Sequence, residues 1–331
     1  MCTSIAWRNE HFYFGRNLDL TESFGQQVVI LPRNKALPLR HGQEMREHYA
    51  MIGMATVAEE IPLFAEAANE KGLCLAGLNF PENTCYAHTV EAGKTGVSSF
   101  ELPWWILGQC ATVEETKALL EHTAVTGTAF NEAMAATPLH WHIADQKTSI
   151  VLECRADGMH VYDNPFGVLA NNPPFDFHLQ NMRQYLGLSP ADPEGGLGER
   201  VQLTAFGHGV GAVGLPGDAT SPSRFVRAAF NRAYAACPTD EPSCVAQFMH
   251  MLDAVALSRG SVITGDNKPH YTLYSSCMAA DSGTYYYKTY WNNRITAVRM
   301  KQDDLDGDVL KCYPLRPEED ILFENKKEPP G

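Results

Sequence analysis

Three things are missing from this sequence, and each removes a class of function. No apolar run approaches the roughly 18–20 residues that span a bilayer, and the first residues lack the charged start and apolar core of a secretory signal. Positive charge is scarce: 26 Lys and Arg stand against 39 Asp and Glu, a formal net charge of −13. Neither nucleic acid nor membrane insertion is therefore expected, and an anionic substrate must be drawn in by local arginines. Paired cysteines are also missing. Nine cysteines occur, at 2, 74, 85, 110, 154, 237, 244, 277 and 312, with no C-x-x-C among them. That pattern excludes the usual zinc and disulfide frameworks and predicts reduced, mostly buried thiols in a cytoplasmic protein.

What is present begins at the second residue. Cys2 follows Met1 directly, with Arg16 and Asp19 one strand-turn-strand length further on. Cysteine is small enough for a methionine aminopeptidase to expose, and exposure leaves one residue carrying both a thiol and a free α-amine. An α-amine titrates near ~7.7–8.0 and a thiol near ~8.5, so nucleophile and base can share one residue at neutral pH. Arg16 is placed to favour a thiolate and Asp19 to hold the amine. An accidental cysteine in a frayed terminus is the competing reading.

With 44% hydrophobic and 20% charged residues over 331 positions, the chain can bury a large core. It contains no internal repeat, low-complexity tract or linker, so a single domain over 2–331 is expected, with 324–331 a frayed tail. Residues 4–14 read as two short strands around a turn at Arg8-Asn9-Glu10. Gln27–Leu31, stopped by Pro32, and residues 50–55 read as buried strands, and 56–66 as a flexible connection carrying exposed apolar groups. Residues 73–80 read as a central strand ending at Asn79. Thr112-Val113-Glu114-Glu115 is a capping box opening a helix, and 123–138 reads as loop. Strands follow at 140–144, 149–153 and 159–162. His140 and His142 share a strand face, but no third ligand accompanies them, so no metal and no cofactor is expected.

Asn171-Asn172-Pro173-Pro174 places two amides at a strand end, where they can form a turn or serve as oxyanion donors. Gly207-His208-Gly209-Val210-Gly211 lacks the lysine and hydroxyl of a phosphate loop and reads as a mobile or tightly turning loop. A helix is expected from Ser221, with Arg224 in its first turn, where a cation opposes the helix dipole and another use for it is plausible. A second helix is expected over 243–257, and strands over 271–278, 283–290 and 295–300. Asp303 to Asp308 reads as a hairpin turn, since its glycine comes too early for a calcium loop.

Segments along almost the whole chain resemble the choloylglycine hydrolase family, which comprises bile salt hydrolases and penicillin V acylases of the N-terminal nucleophile superfamily. They are Met1-Cys2-Thr3, Phe14-Gly15-Arg16-Asn17-Leu18-Asp19, Ala76-Gly77-Leu78-Asn79-Phe80-Pro81, Leu139-His140-Trp141, Asn171-Asn172-Pro173, Gly214-Leu215-Pro216-Gly217-Asp218, Ser223-Arg224-Phe225, Arg259-Gly260-Ser261, Tyr274-Ser275-Ser276-Cys277-Met278 and Tyr285-Tyr286-Tyr287. The resemblance implies an α+β fold, a four-layer αββα sandwich, and amide hydrolysis through an acyl-enzyme. Cys2 matches the nucleophile, Arg16 and Asp19 its flanking residues, Asn171 the oxyanion asparagine, Asn79 a second polar residue facing the amide, and Arg224 the remaining arginine. Ala170 stands where relatives often carry threonine.

Asparagine at 79 is similar to the bile salt hydrolase branch, where penicillin V acylases tend to carry tyrosine. Conjugated bile salts are thus the expected substrates, penicillin V acylase activity the alternative, and a non-catalytic small-molecule binder the alternative of another class. Leu18, Ala58, Ile61, Phe64, Phe130 and Leu139 are candidates for an apolar cleft holding the steroid. The glycine-flanked Val210 loop leans toward glycine conjugates, and the family implies a homotetramer.

Overall fold

A computed structural model describes residues 1–42, 44–197 and 200–325. The expected frayed tail, 324–331, lies outside the described residues from 326 onward. Two large antiparallel sheets dominate. The first runs in the order Val168–Leu169, Cys2–Asn9, His11–Leu20, Pro269–Ala279, Thr284–Thr289, Asn292–Arg299, with Val262–Ile263 also pairing with Pro269–Ala279. The second runs Gly158–Asp163, Ser149–Arg155, Leu139–Ala144, Cys74–Asn79, Ile61–Asn69, Met51–Ala58, Gln27–Leu31, Lys311–Pro314. Helices Leu102–Gln109 and Val113–Glu121 pack on the outer face of the second sheet, and Ser221–Tyr234 and Glu241–Asp253 on the outer face of the first. The layers are αββα, as the resemblance implied.

Strand alternation decides what each sheet residue meets. In the opening hairpin Cys2 pairs with Leu18 and Ser4 with Arg16. Ser4 reaches His142 of the second sheet and Arg16 reaches the Gly77 carbonyl there. Cys2, Ser4, Arg16 and Leu18 therefore face the space between the sheets. Their neighbours face the helices: Asn17 donates to Leu252 O in the last turn of Glu241–Asp253, and Thr3 receives Arg224 from Ser221–Tyr234. Gly15 permits this close pairing, since a Cβ there would stand 1.9 Å from Ser276 O on the adjoining strand.

Two expectations are corrected. Residues 56–66 are not a flexible connection but the two arms of a hairpin, Met51–Ala58 and Ile61–Asn69. It turns through Glu59 and Glu60 at φ 50° and 62°; two left-handed residues give the tight turn that asparagine and glycine usually signal, and glutamates conceal it. Asp303 to Asp308 is not a hairpin turn. Leu305 O and Gly307 O accept from Arg33 and Asn34, and the segment carries the chain from the first sheet to an edge strand of the second.

The capping box forms with one change: Glu115 N donates to Thr112 Oγ1 at 3.2 Å, while the Glu115 carboxylate takes Ala111 N rather than its own cap. The helix expected over 243–257 ends at Asp253, and 123–138 contains a short strand, Thr123–Thr126. All nine cysteines are free and six of them are buried. No helix among the described residues is long and apolar enough to cross a membrane.

Candidate active site

Cys2 is buried at the head of its strand. Its backbone N donates to Asn171 Oδ1 at 2.7 Å, and its carbonyl accepts from Arg224 Nη1 at 2.5 Å. Arg224 comes from the first turn of Ser221–Tyr234, where nothing about its position favours a cation. The structure shows its use: Nη1 also donates to Thr3 Oγ1, Nη2 to Asn171 Oδ1 at 2.8 Å, and Nε to Ala219 O at 3.0 Å. It is fully buried with carbonyl, hydroxyl and amide oxygens as its hydrogen-bond partners, so burial lowers its pKa against the opposing pull of Asp19 and Cys2.

Asn171 follows directly after the short strand Val168–Leu169 and Ala170. Its N donates to Ser221 Oγ, its O accepts from His178 Nε2, and its Nδ2 donates to Asn79 O at 2.7 Å. Two contacts on Oδ1 and one on Nδ2 fix the amide and leave one Nδ2 hydrogen uncommitted. Asn79, at the end of Cys74–Asn79, is half-buried, and its own side-chain amide has no hydrogen-bond partner among the described residues. Asn172 turns away, donating to Pro81 O.

Arg16 lies on the strand paired with that of Cys2. It is 1% exposed and donates from Nη1 to Gly77 O at 2.6 Å and Ala65 O at 3.3 Å, and from Nε to Asn17 O. Burial alone would lower its pKa, but Cys2, Tyr274, Glu66 and Asp19 together carry it above the usual value.

Asp19 is completely buried; Thr272 Oγ1 donates to its Oδ1 at 2.7 Å, whereas Oδ2 has no partner among the described residues. Met1 lies alongside, its carbonyl accepting from Asp19 N and its ammonium touching Asp19 O and His270 Nε2, each at 2.9 Å. Burial lowers the pKa of that ammonium, with Cys2 and Asp19 opposing.

The six residues expected to carry chemistry are thus drawn together from five segments of the chain. The expected cleft residues are distributed. Leu18 lies between the sheets opposite Cys2, and Ala58 and Ile61 form the closing pair of the second-sheet hairpin. Phe64 and Leu139 pack in the helix-side core, and Phe130 meets Phe100 edge-on beneath Arg40. A cavity of about 680 Å³ beside His41, Tyr86 and Thr126 contains none of these residues.

His140 and His142 do not converge on a metal: His140 lies between Glu153 and Ala170 O, and His142 between Ser4 and Ser149. Among the described residues no group of three or more His, Cys, Asp or Glu is placed to hold one. Sequence reading missed Thr3, Glu66, His178 and Thr272. Thr3 and Thr272 carried a signal, being polar residues on strand faces that turn toward the helices; the other two carried none.

Comparison with known proteins fits this geometry. The model of the linear amide C–N hydrolases of the choloylglycine hydrolase family matches residues 2–313. A bile salt hydrolase/transferase of Lactiplantibacillus plantarum is 42% identical over 318 residues, covering 96% of this chain and 98% of the relative. The crystal structure of a cysteine-to-alanine mutant of conjugated bile acid hydrolase from Clostridium perfringens superposes with a TM-score of 0.90 at 39% identity, covering 98% of this chain and all of that one. Penicillin V acylase from Agrobacterium tumefaciens, at 18% identity and a TM-score of 0.75 over 97% of this chain and 99% of that one, shares the fold.

Proposed function

Because the chain belongs to the choloylglycine hydrolase family of linear amide C–N hydrolases, we propose that it is a bile salt hydrolase, cleaving the amide between a steroid acyl group and glycine or taurine. The observation that carries this reading is the convergence on Cys2 of Asn171 Oδ1 and Arg224, beside an Asp19 carboxylate whose Oδ2 is buried without a partner.

Removal of Met1 turns Cys2 N from an amide into an amine with additional hydrogens. Asn171 Oδ1 retains one, and Asp19 Oδ2 is the vacant acceptor for another. Burial, with Arg224 and Arg16 nearby, lowers the pKa of the Met1 ammonium one residue away, and the Cys2 amine, buried among the same charges, is expected to be held neutral in the same way. That amine takes the thiol proton as sulfur attacks the amide carbon. The uncommitted Nδ2 hydrogen of Asn171 and the free amide of Asn79 meet the developing oxyanion. The C–N bond then breaks as the amine returns the proton to departing glycine or taurine. Water, deprotonated by the same amine, attacks the thioester, releasing the bile acid and restoring the thiol. Arg16 and Arg224 supply the positive field of a site in a net-negative chain. Of the expected cleft residues, Leu18 between the sheets and Ala58 and Ile61 at the hairpin's closing pair are offered to the steroid, whereas Phe64 and Leu139 pack toward the helices and Phe130 against Phe100.

The single-domain reading, a cytoplasmic location and a homotetramer belong to this proposal. Support for assembly comes from Leu197, Leu203 and Phe206, large apolar side chains standing in solvent on one segment, Phe206 fully so. Purified protein, with Met1 shown by intact mass to be absent, should release glycine from glycocholate faster than taurine from taurocholate, and either faster than it opens phenoxymethylpenicillin. Release of neither amino acid sinks the proposal. Cys2→Ser should abolish turnover; unchanged behaviour would mark a mere binder.

A further inference from the structure

Glu66 is a completely buried carboxylate on the inward face of Ile61–Asn69, and none of the steps above uses it. Tyr274 donates to its Oε2 at 2.8 Å, and Tyr285 and Ser276 donate to its Oε1 at 2.6 and 3.0 Å. All three donors belong to the opposite sheet. Arg16 Nη1 lies 3.8 Å from Oε2. Among the described residues no other carboxylate is within ion-pair distance of Arg16, whose remaining contacts are the carbonyls of Gly77, Ala65 and Asn17.

A buried carboxylate is expensive unless its lone pairs are filled. Burial is the larger effect and holds its pKa above the usual carboxylate value, while Arg16 and the hydroxyls of Tyr285, Tyr274 and Ser276 work against that rise. Four groups that can only donate, or are donating, converge on two oxygens, and each of them favours the ionised form against the cost of burial.

Resting on the reading of Arg16 as the cation beside the thiol, we propose that Glu66 is a positioning residue that sets how much of the Arg16 charge Cys2 experiences, with Tyr274, Tyr285 and Ser276 holding it ionised. Glu66 touches no reacting atom. Its negative charge, 3.8 Å from the guanidinium, compensates it and stops the arginine turning toward other carbonyls. The tyrosines matter through their hydroxyls: each one removed makes the carboxylate easier to protonate, and a protonated Glu66 no longer offsets Arg16. The arrangement also stitches the two sheets together under the nucleophile, so the distance between Arg16 and Cys2 is set by contacts to both.

The test reads the thiol directly. The rate of Cys2 carbamidomethylation by iodoacetamide, followed by peptide mass, is measured against pH for the Met1-free protein and for Glu66→Gln, Glu66→Asp and Tyr285→Phe, with circular dichroism confirming the fold. Glu66→Gln leaves the Arg16 charge uncompensated, so the pH midpoint of alkylation should fall by about one unit, and kcat on glycocholate should fall at least about tenfold with a smaller change in KM. Tyr285→Phe should move the midpoint in the same direction by less, and Glu66→Asp, which keeps the charge, should restore it most of the way. If Glu66→Gln fails to fold, Tyr285→Phe decides. An unchanged midpoint in folded Glu66→Gln or Tyr285→Phe, or a Glu66→Asp midpoint displaced as far as that of Glu66→Gln, overturns the proposal. Shifted midpoints in a protein that hydrolyses no bile salt would keep Glu66 in its role and refute the substrate assignment instead.

Discussion

Replacing Asn171 by alanine separates the proposed oxyanion role from simple support of the fold. Its side chain makes three hydrogen bonds: it accepts from Cys2 N at 2.7 Å and Arg224 Nη2 at 2.8 Å, and donates to Asn79 O at 2.7 Å. Arg224 keeps Cys2 O, Thr3 Oγ1 and Ala219 O as acceptors, so the structural cost falls mainly on Asn79 O and on the freed amine. With a buried orphan costing about 1–3 kcal/mol, the variant should lose about 2–4 kcal/mol of stability, a measurable lowering of Tm in a protein that still folds. The chemical cost is larger relative to its effect. Loss of one preorganised oxyanion donor is worth about 10²–10³ in kcat, or about 2.7–4 kcal/mol. Initial rates of glycine release from glycocholate, read alongside thermal melts, should show that drop in kcat with KM changed by no more than about threefold. A folded Asn171→Ala enzyme that keeps more than about a tenth of wild-type kcat, or loses efficiency only through KM, refutes the role.

Two more perturbations test the surroundings of the site. Burial pushes His142 down to about 3 and His178 to about 4 from an ordinary 6.5, so the unfolded chain binds more protons below pH 6.5. Their stabilisation is complete above that pH and is lost as pH falls toward 4 and then 3, in all about 5 kcal/mol for His142 and about 3 kcal/mol for His178; melts between pH 7 and 4 should show most of it. His142→Gln, which can bond Ser4 and Ser149 without titrating, should flatten the slope, and an unaltered slope would contradict the assignment. Thr272→Val removes the one hydrogen bond to the Asp19 carboxylate among the described residues and should cost about 1–3 kcal/mol of stability and lower kcat; a variant matching wild type in both would show that Asp19 is held by something else.

The parts of this protein that the sequence discloses are those whose chemistry depends on position in the chain. A cysteine behind the initiator is informative wherever the rest folds. An arginine in the first turn of Ser221–Tyr234 was anomalous enough to point to a use before its acceptors, Cys2 O, Thr3 and Asn171, were visible. The apolar strand Cys74–Asn79 declared itself by composition. Glu66 was hidden because a carboxylate flanked by alanines on an alternating stretch reads as solvent-facing, and only the hydroxyls of two strands some 210 to 220 residues later make its burial tolerable. The same stretch was read as loose because its turn is made by two glutamates in left-handed conformation. Long-range partners of this kind leave no local pattern.

Everything rests on Cys2 acting through its thiol with its α-amine free, and one mass measurement addresses that directly. Enzyme mixed with excess glycocholate, quenched in acid within the first turnovers and weighed intact, should be lighter than the translated chain by one methionine and heavier by one cholyl group. Peptide mapping should locate that acyl group as a thioester on Cys2. Steady glycine release by a protein that retains Met1, or by a Cys2→Ala variant that carries no adduct, would contradict the account.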